Sequence, residues 1–117
     1  MKLSEKITSK RQIDPEVPRK IVVEKWSTDE EPCVIYCTKL SGRDLDRLTK
    51  KHKGFLSNQT IDGMIDLILM KAQDANGEKV FGLEDKQILL DEEISVIADI
   101  AAQMFADVED LDDIEKN

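Results

Sequence analysis

The two cysteines of the chain, Cys33 and Cys37, are its strongest candidates for redox or metal chemistry. They lie in Pro32–Leu40, a segment whose Val, Ile and Tyr residues favour an extended strand. Four residues along a strand span about 13 Å, so the thiols share a face but are too far apart for a disulfide or a shared metal ion. A single histidine leaves a zinc site short of ligands. We therefore expect both cysteines to be small hydrophobic strand residues.

His52 is the only side chain suited to acid–base work near neutral pH, and no recognisable motif places a nucleophile beside it. It shares a helical stripe with Leu45 and Leu48, which predicts a packed or half-exposed helix residue. Asp62 and Asp66 lie one helical turn apart and would suit an acid–base pair, but a solvated helix edge requires the same residues. Glycine-rich phosphate loops are absent from the sequence. We expect no catalytic residues and no cofactor.

The segment Asp74–Glu78 alternates acidic and amide side chains around Gly77, as calcium loops do. An EF-hand needs glycine at loop position 6 and glutamate at position 12. Placing Gly77 at that glycine position puts Ala72 first in the loop and Leu83 last, and neither can bind the ion. The segment is therefore interpreted as a reverse turn that enters a short strand, and we expect no metal site.

Charge is divided unevenly along the chain. The net charge is -8, but residues 1–53 carry a net +4 and residues 54–117 a net −12. The acidic part disfavours tight nonspecific nucleic-acid binding. A basic strip on one predicted helix would suit a phosphate backbone, and it comprises Arg43, Arg47, Lys50, Lys51 and Lys53. No aromatic residue interrupts this strip, so a small DNA-binding regulator is kept only as the weakest alternative.

The composition describes one domain with a mainly aliphatic core. Of 117 residues, 40% are hydrophobic and 36% charged, and no apolar run approaches the roughly 18 residues of a membrane span. Neither a membrane segment nor a secretory signal is visible, which predicts a cytoplasmic protein. We expect a flexible basic arm over 1–19, a single domain over 20–106 and a disordered acidic tail over 107–117.

The predicted fold class is α+β and mostly helical. Lys20–Trp26 and Cys33–Leu40 flank a polar loop and predict a β-hairpin. Two strands alone are marginal in water, so the hairpin is expected to pack on a bundle of three to four helices. We expect one shared core, whose members are Leu45, Leu48, Ile61, Ile65, Ile68, Phe81, Ile97, Ile100, Met104 and Phe105.

Capping signals place the helices. Ser41 and Asp44 form a capping box at the start of the first, which should run to about Lys53 and end at a left-handed Gly54. A second, most buried helix is capped by Asn58 or Thr60, with Asp62, Asp66 and Gln73 as its solvated edge. After the turn at Asp74–Gly77, the short strand Glu78–Phe81 should direct Val80 and Phe81 inward. A short helix over Leu83–Leu90 and a last helix over 94–105 are expected to follow this strand.

The order of the predicted elements forms a known pattern. It begins with the hairpin and continues with the helix start Leu40-Ser41-Gly42-Arg43-Asp44 and the apolar helix Ile61–Ala72. It ends with the turn Asp74-Ala75-Asn76-Gly77-Glu78-Lys79-Val80-Phe81 and the amphipathic helix Ile94–Phe105. Over about residues 20–106 the chain resembles the tail assembly chaperones of long-tailed bacteriophages. The individual motifs are turn and cap chemistry, and their order and spacing carry the resemblance.

The resemblance implies a non-enzymatic phage or prophage protein that is absent from the finished virion. Its expected partner is the tape-measure protein, with the tail-tube protein as a second candidate, and neither a membrane nor a nucleic acid is expected. The residues expected to bind the partner are Trp26, Arg43, Arg47, Phe55, Met64 and Met104. The alternative is a structural phage component, such as a head–tail joining or tail accessory protein, that is retained in the particle.

Chaperones of this family are often made in two lengths by a backward frameshift. The residues Glu115-Lys116-Asn117 are compatible with an adenine-rich slippery codon run. A second, longer product is therefore a hypothesis that rests on codon degeneracy alone, and the nucleotide sequence of the gene would test it.

Overall fold

The fold pairs a short antiparallel hairpin with a set of helices. The structure is a computed structural model that describes residues 2–13 and 17–106. Strand β1 spans Arg19–Val22 and β2 spans Val34–Cys37, in a register that sets Ile21 opposite Ile35. Both of these isoleucines are buried. The predicted hairpin is confirmed, although its strands are shorter than the sequence pattern indicates.

Five α-helices accompany the hairpin in the described residues: α1 (Leu3–Ile13), α2 (Gly42–Lys51), α3 (Ile61–Lys71), α4 (Lys86–Leu90) and α5 (Ile94–Met104). Short 3₁₀ turns cover Glu24–Trp26 and Leu83–Asp85. Helices α3 and α5 pack against each other at the centre of the core. The predicted α+β, mostly helical class is confirmed.

The start of α2 follows the predicted capping box. Ser41 Oγ accepts a hydrogen bond from the Asp44 backbone N–H at 3.2 Å, and Asp44 Oδ2 accepts from the Ser41 N–H at 3.0 Å. Lys71 of α3 also donates to Asp44 Oδ2 at 3.0 Å. Burial raises the pKa of Asp44, but these hydrogen bonds outweigh it and hold the pKa below its ordinary value. The cap therefore also joins α2 to α3.

Helix α3 has six buried residues, the most of any described helix. Thr60 caps it by accepting from the Gly63 N–H at 3.1 Å, and Ile65, Leu67 and Ile68 are fully buried. The assignment of Ile61 to the core is wrong, since this side chain is 51% exposed. It lies in the first turn of α3, in which Gly63 is the first buried residue.

The reverse turn predicted after α3 is confirmed, but the short strand predicted over Glu78–Phe81 is not formed, since the structure has only an isolated β-bridge at Lys79 there. Asp74 Oδ1 accepts from the backbone N–H groups of Asn76 and Glu78 at 2.8 and 3.0 Å, and Gly77 adopts φ +83°. Only glycine takes such a conformation readily. The turn pairs Gln73 with Lys79 on one side, while Gln73 pairs with Tyr36 of β2 on the other. The residues after Lys79 are thereby fixed beside the hairpin.

Helix α1 is an element that the sequence patterns do not predict. Its apolar residues show little helical periodicity, so the sequence gives no amphipathic signal here, and none of its side chains is buried in the core. The acidic segment 107–117 lies outside the described residues, and its predicted disorder stays a prediction. Across the described residues, no helix is long and apolar enough to cross a membrane.

Candidate functional site

A concave surface lined by the hairpin and α4 forms the first part of the candidate site. We call it the apolar pocket, and it encloses about 470 Å³. This volume is in the range of pockets that hold a few side chains of a ligand or partner. Among its lining residues only Glu92 is charged: Trp26, Cys33, Val34, Ile35, Val80, Phe81, Ile88, Leu89 and Glu92.

Trp26 and Phe81 form the aromatic part of the apolar pocket. Their ring centroids are 6.2 Å apart at an interplanar angle of 76°, an edge-to-face arrangement. Such a pair contributes about 0.5–1.5 kcal/mol beyond its buried area. Trp26 is fixed by the 3₁₀ turn after β1, in which its N–H donates to the Val23 carbonyl at 3.1 Å. Phe81 follows the Gln73–Lys79 pairing, so local backbone structure holds both rings.

A second concavity adjoins the first across Phe81. We call it the basic-rimmed groove, and its volume is about 380 Å³. Its floor is apolar and its edges carry three basic side chains and one carboxylate: Arg47, Leu48, Lys51, Asp66, Leu69, Met70, Lys79, Phe81, Gly82 and Leu83. Because Phe81 lines both concavities, they are adjacent, and together they make up the candidate surface.

Large apolar side chains stand exposed around this surface. Leu83 is 85% exposed and Ile88 67%, and each lines one of the two concavities. The prediction that Val80 points into the core is wrong, because it is 42% exposed and lines the apolar pocket. Burying one such side chain completely is worth about 1.5–3 kcal/mol. Grouped exposed apolar residues of this kind mark interaction sites.

A charged cluster lies at the edge of the basic-rimmed groove and comprises Lys51, His52, Asp62, Asp66 and Lys86. Asp66 Oδ2 lies 2.7 Å from His52 Nε2 and 2.9 Å from Lys51 Nζ. Lys86 Nζ lies 2.7 Å from Asp62 Oδ1 and 3.2 Å from Asp66 Oδ1. The prediction that Asp66 belongs to a solvated edge is wrong, since its side chain is only 12% exposed. The cluster connects α2, α3 and α4.

These contacts set the protonation of the cluster. Burial raises the pKa of Asp66, but hydrogen bonds from His52, Lys51 and Lys86 more than offset this and hold the pKa below its ordinary value. The hydrogen bond to Asp62, followed by the contacts with Asp66, raises the pKa of Lys86. Asp66 is therefore a carboxylate, and Lys86 an ammonium, throughout the physiological pH range.

The charged cluster contains residue types that could bind a metal ion or take part in acid–base chemistry. His52, Asp62 and Asp66 each place one ligand atom within 4.8 Å of the others, the spacing of a metal site. The ammonium groups of Lys51 and Lys86 already contact the same carboxylates, so a cation would have to displace them. Within the described residues, no hydroxyl or thiol hydrogen-bonds the His52 ring. The ion pairs of the cluster tie α2, α3 and α4 together.

The residues expected to bind a partner occupy different places. Trp26 lines the apolar pocket and Arg47 lines the basic-rimmed groove. Arg43 is exposed on α2 and Met64 is half-buried on α3, and neither lines the two concavities.

Phe55 and Met104 belong to the core rather than to a surface. Phe55 is 0% and Met104 2% exposed, and the Phe55 ring packs against that of Phe105 at a centroid distance of 5.3 Å. Their inclusion among surface contacts is therefore corrected, because a buried side chain offers no area to a partner in this conformation. Sequence alone does not separate an apolar residue that faces the core from one that faces a partner.

Leu83, Ile88 and Lys79 are site residues that the sequence analysis does not select. The sequence carries a signal for Ile88 only, because α4 is a short helix that carries three consecutive apolar residues, Ile88 to Leu90. One helical face cannot turn all three toward the core. Only Leu89 is buried, and the others remain on the surface.

The basic strip on α2 is partly neutralised in the structure. Lys50 Nζ lies 2.9 Å from Asp46 Oδ2, and Lys51 Nζ lies 2.9 Å from Asp66 Oδ2. Both contacts reduce the charge offered to a phosphate backbone, which weakens the case for the DNA-binding alternative.

No family model, curated protein or solved structure matches this chain.

Proposed function

We propose that this protein is a non-enzymatic tail assembly chaperone of a long-tailed phage or prophage and acts in the cytoplasm of the bacterial host. It binds an apolar helical segment of the tape-measure protein and keeps that chain soluble until the tail tube assembles. The observation that carries the proposal is the exposed apolar surface on both sides of Phe81. The resemblance over about residues 20–106 supplies the identity of the partner.

The physical case rests on what a tape-measure chain needs before assembly. A long helical chain with apolar seams aggregates unless those seams are covered. Recognition of an amphipathic helix normally uses an apolar groove with a polar rim, which is the arrangement around Leu83 and Ile88.

Co-expression with the tape-measure protein encoded beside the gene tests the proposal. The wild-type protein should raise the soluble yield of the tape-measure chain and co-purify with it. The double variant Leu83→Ser and Ile88→Ser should fold normally, since both side chains are largely exposed, yet lose this effect. Ile94→Ser is a matched control, because Ile94 is 51% exposed but lines neither concavity.

Three results would count against the proposal. The tape-measure chain could be equally soluble without this protein, could fail to co-purify with it, or could respond equally to the double variant and the control. Detection of the protein in purified virions would favour the alternative of a structural component retained in the particle.

A further inference from the structure

The two halves of the candidate surface differ in charge. The apolar pocket has Glu92 as its one charged lining residue, whereas the basic-rimmed groove carries Arg47, Lys51 and Lys79 against a single carboxylate, Asp66. The floor between these charges is apolar and includes Leu69, Met70 and Phe81. A partner seated across Phe81 would therefore meet positive charge on one side only.

Two of the three cations are available to a partner. Lys51 Nζ is engaged by Asp66 at 2.9 Å. The side chains of Arg47 and Lys79 are exposed and form no ion pair or hydrogen bond with any described residue. Their positions are nevertheless fixed by backbone structure, Arg47 within α2 and Lys79 in its pairing with Gln73. The rim thus holds two placed, unpaired positive charges.

We propose that the segment bound here is an amphipathic helix whose apolar anchors are flanked by Asp or Glu on the side facing Arg47 and Lys79. This inference rests on the proposed function and specifies the chemistry of the bound segment. The net charge of the protein, -8, does not attract an acidic segment, so the attraction has to come from the positive charges at the rim. Charges beyond about 8 Å are screened at physiological salt, so the local rim decides the position and register of the segment.

An apolar anchor distinguishes this partner from a nucleic acid. A phosphate backbone would satisfy Arg47 and Lys79 but would leave Leu83 and Met70 without apolar contact. An acidic amphipathic helix satisfies both the cations and the floor. The same pairing makes the contact sensitive to the direction of the helix, because reversing it would bring the carboxylates toward Glu92.

Two synthetic peptides test the inference with the full-length protein. Both carry Leu at helical spacing i, i+3, i+4 and i+7 on an alanine background, and they differ only in having Glu or Lys beside these anchors. Each exposed ion pair contributes little to binding. The Glu peptide, however, gains two attractions to Arg47 and Lys79, and it avoids the two repulsions that the Lys peptide meets at the same residues. The Glu peptide should therefore bind roughly five- to thirtyfold more tightly than the Lys peptide, with a smaller ratio at high salt.

Charge reversal at the rim provides the decisive arm. The double variant Arg47→Glu and Lys79→Glu should invert the preference, so that the Lys peptide binds more tightly. Lys6→Glu with Lys20→Glu is a control of equal charge change, since both residues are exposed and line neither concavity. The control should retain the wild-type preference.

The outcomes separate this inference from the function on which it rests. Equal binding of the two peptides, failure of both to bind, the same preference in the reversed variant, or displacement of the Glu peptide by duplex DNA would overturn the inference. If the tape-measure chain still co-purifies in such a case, the chaperone proposal stands. If the peptide preference inverts as expected but the tape-measure chain does not bind, the surface chemistry stands and the proposed function fails.

Discussion

Alanine in place of Ile68 or Ile61 gives a matched test of how α3 is seated. The two residues are of the same type in the same helix, but Ile68 is 0% exposed and Ile61 is 51% exposed. Removing the Ile68 side chain takes away about three buried methyl or methylene groups, worth roughly 0.8 kcal/mol each, and leaves a cavity in the core. The expected loss of unfolding free energy is about 2–5 kcal/mol.

The same change at Ile61 should cost far less. About half of the side chain is already in water, solvent fills the space that it leaves, and alanine has the better helix propensity. We expect a loss of less than about 1 kcal/mol. Since domains of this size are stable by only about 5–15 kcal/mol, the two variants should differ clearly in their unfolding midpoints.

Equilibrium unfolding in urea, followed by far-UV circular dichroism and by Trp26 fluorescence, measures both values. Trp26 lies against Phe81 and reports on the region between the hairpin and the helices. Equal losses for the two variants, or a larger loss for Ile61→Ala, would mean that α3 presents a different face to the core. That result would refute the arrangement described here and would restore the sequence-based placement of Ile61.

Further predictions concern the charged cluster and the close packing at the start of α3. Because the pKa of Asp66 is held below its ordinary value of 3.8, its contribution to stability is present above about pH 4 and is lost as the pH falls through the lowered pKa. Asp66→Asn should therefore lower the free energy of unfolding by about 1–3 kcal/mol at neutral pH and make stability depend less on pH in the acid range. Asp46→Asn, which removes an exposed ion pair with Lys50, should change the free energy of unfolding little. Gly63→Ala should destabilise the protein by about 1–3 kcal/mol, because the new Cβ would lie 2.4 Å from the ring of buried Phe55. Gly42→Ala is the matched control: its Cβ would have nothing within 4 Å, so stability in the same urea assay should stay nearly unchanged. Neither calcium nor zinc at millimolar concentration should shift the thermal midpoint, since two lysines already neutralise the cluster; a rise of several degrees would instead reveal a cation site.

Local signals account for the elements that the sequence predicts correctly. The Ser41–Asp44 capping box, the Gly77 turn and the apolar face of α5 each depend on neighbouring residues, and the structure contains all three. Hydrophobic periodicity also places Ile97 and Ile100 in the core. These features follow from backbone geometry and from burial along a single helix, so one sequence is sufficient to find them.

Tertiary contacts decide the features that the sequence does not reveal. Lys71 is buried because Thr38, Lys39 and Asp44 converge on its ammonium group, and no local pattern announces this convergence. Asp66 is covered for the same reason, by cations from two other helices. The candidate surface likewise arises where the hairpin, the turn after α3 and α4 meet, so its residues are scattered along the chain.

Calorimetric titration of full-length protein with tape-measure segments prepared as peptides, repeated at several temperatures, tests the central claim most directly. At least one segment should bind with a negative heat-capacity change, because apolar surface is buried, and salt should weaken this binding only modestly. The heat-capacity change should shrink in the Leu83→Ser and Ile88→Ser double variant and stay unchanged in Ile94→Ser. Absence of binding by any segment, or binding whose heat-capacity change is near zero or unaffected by the double variant, would contradict it.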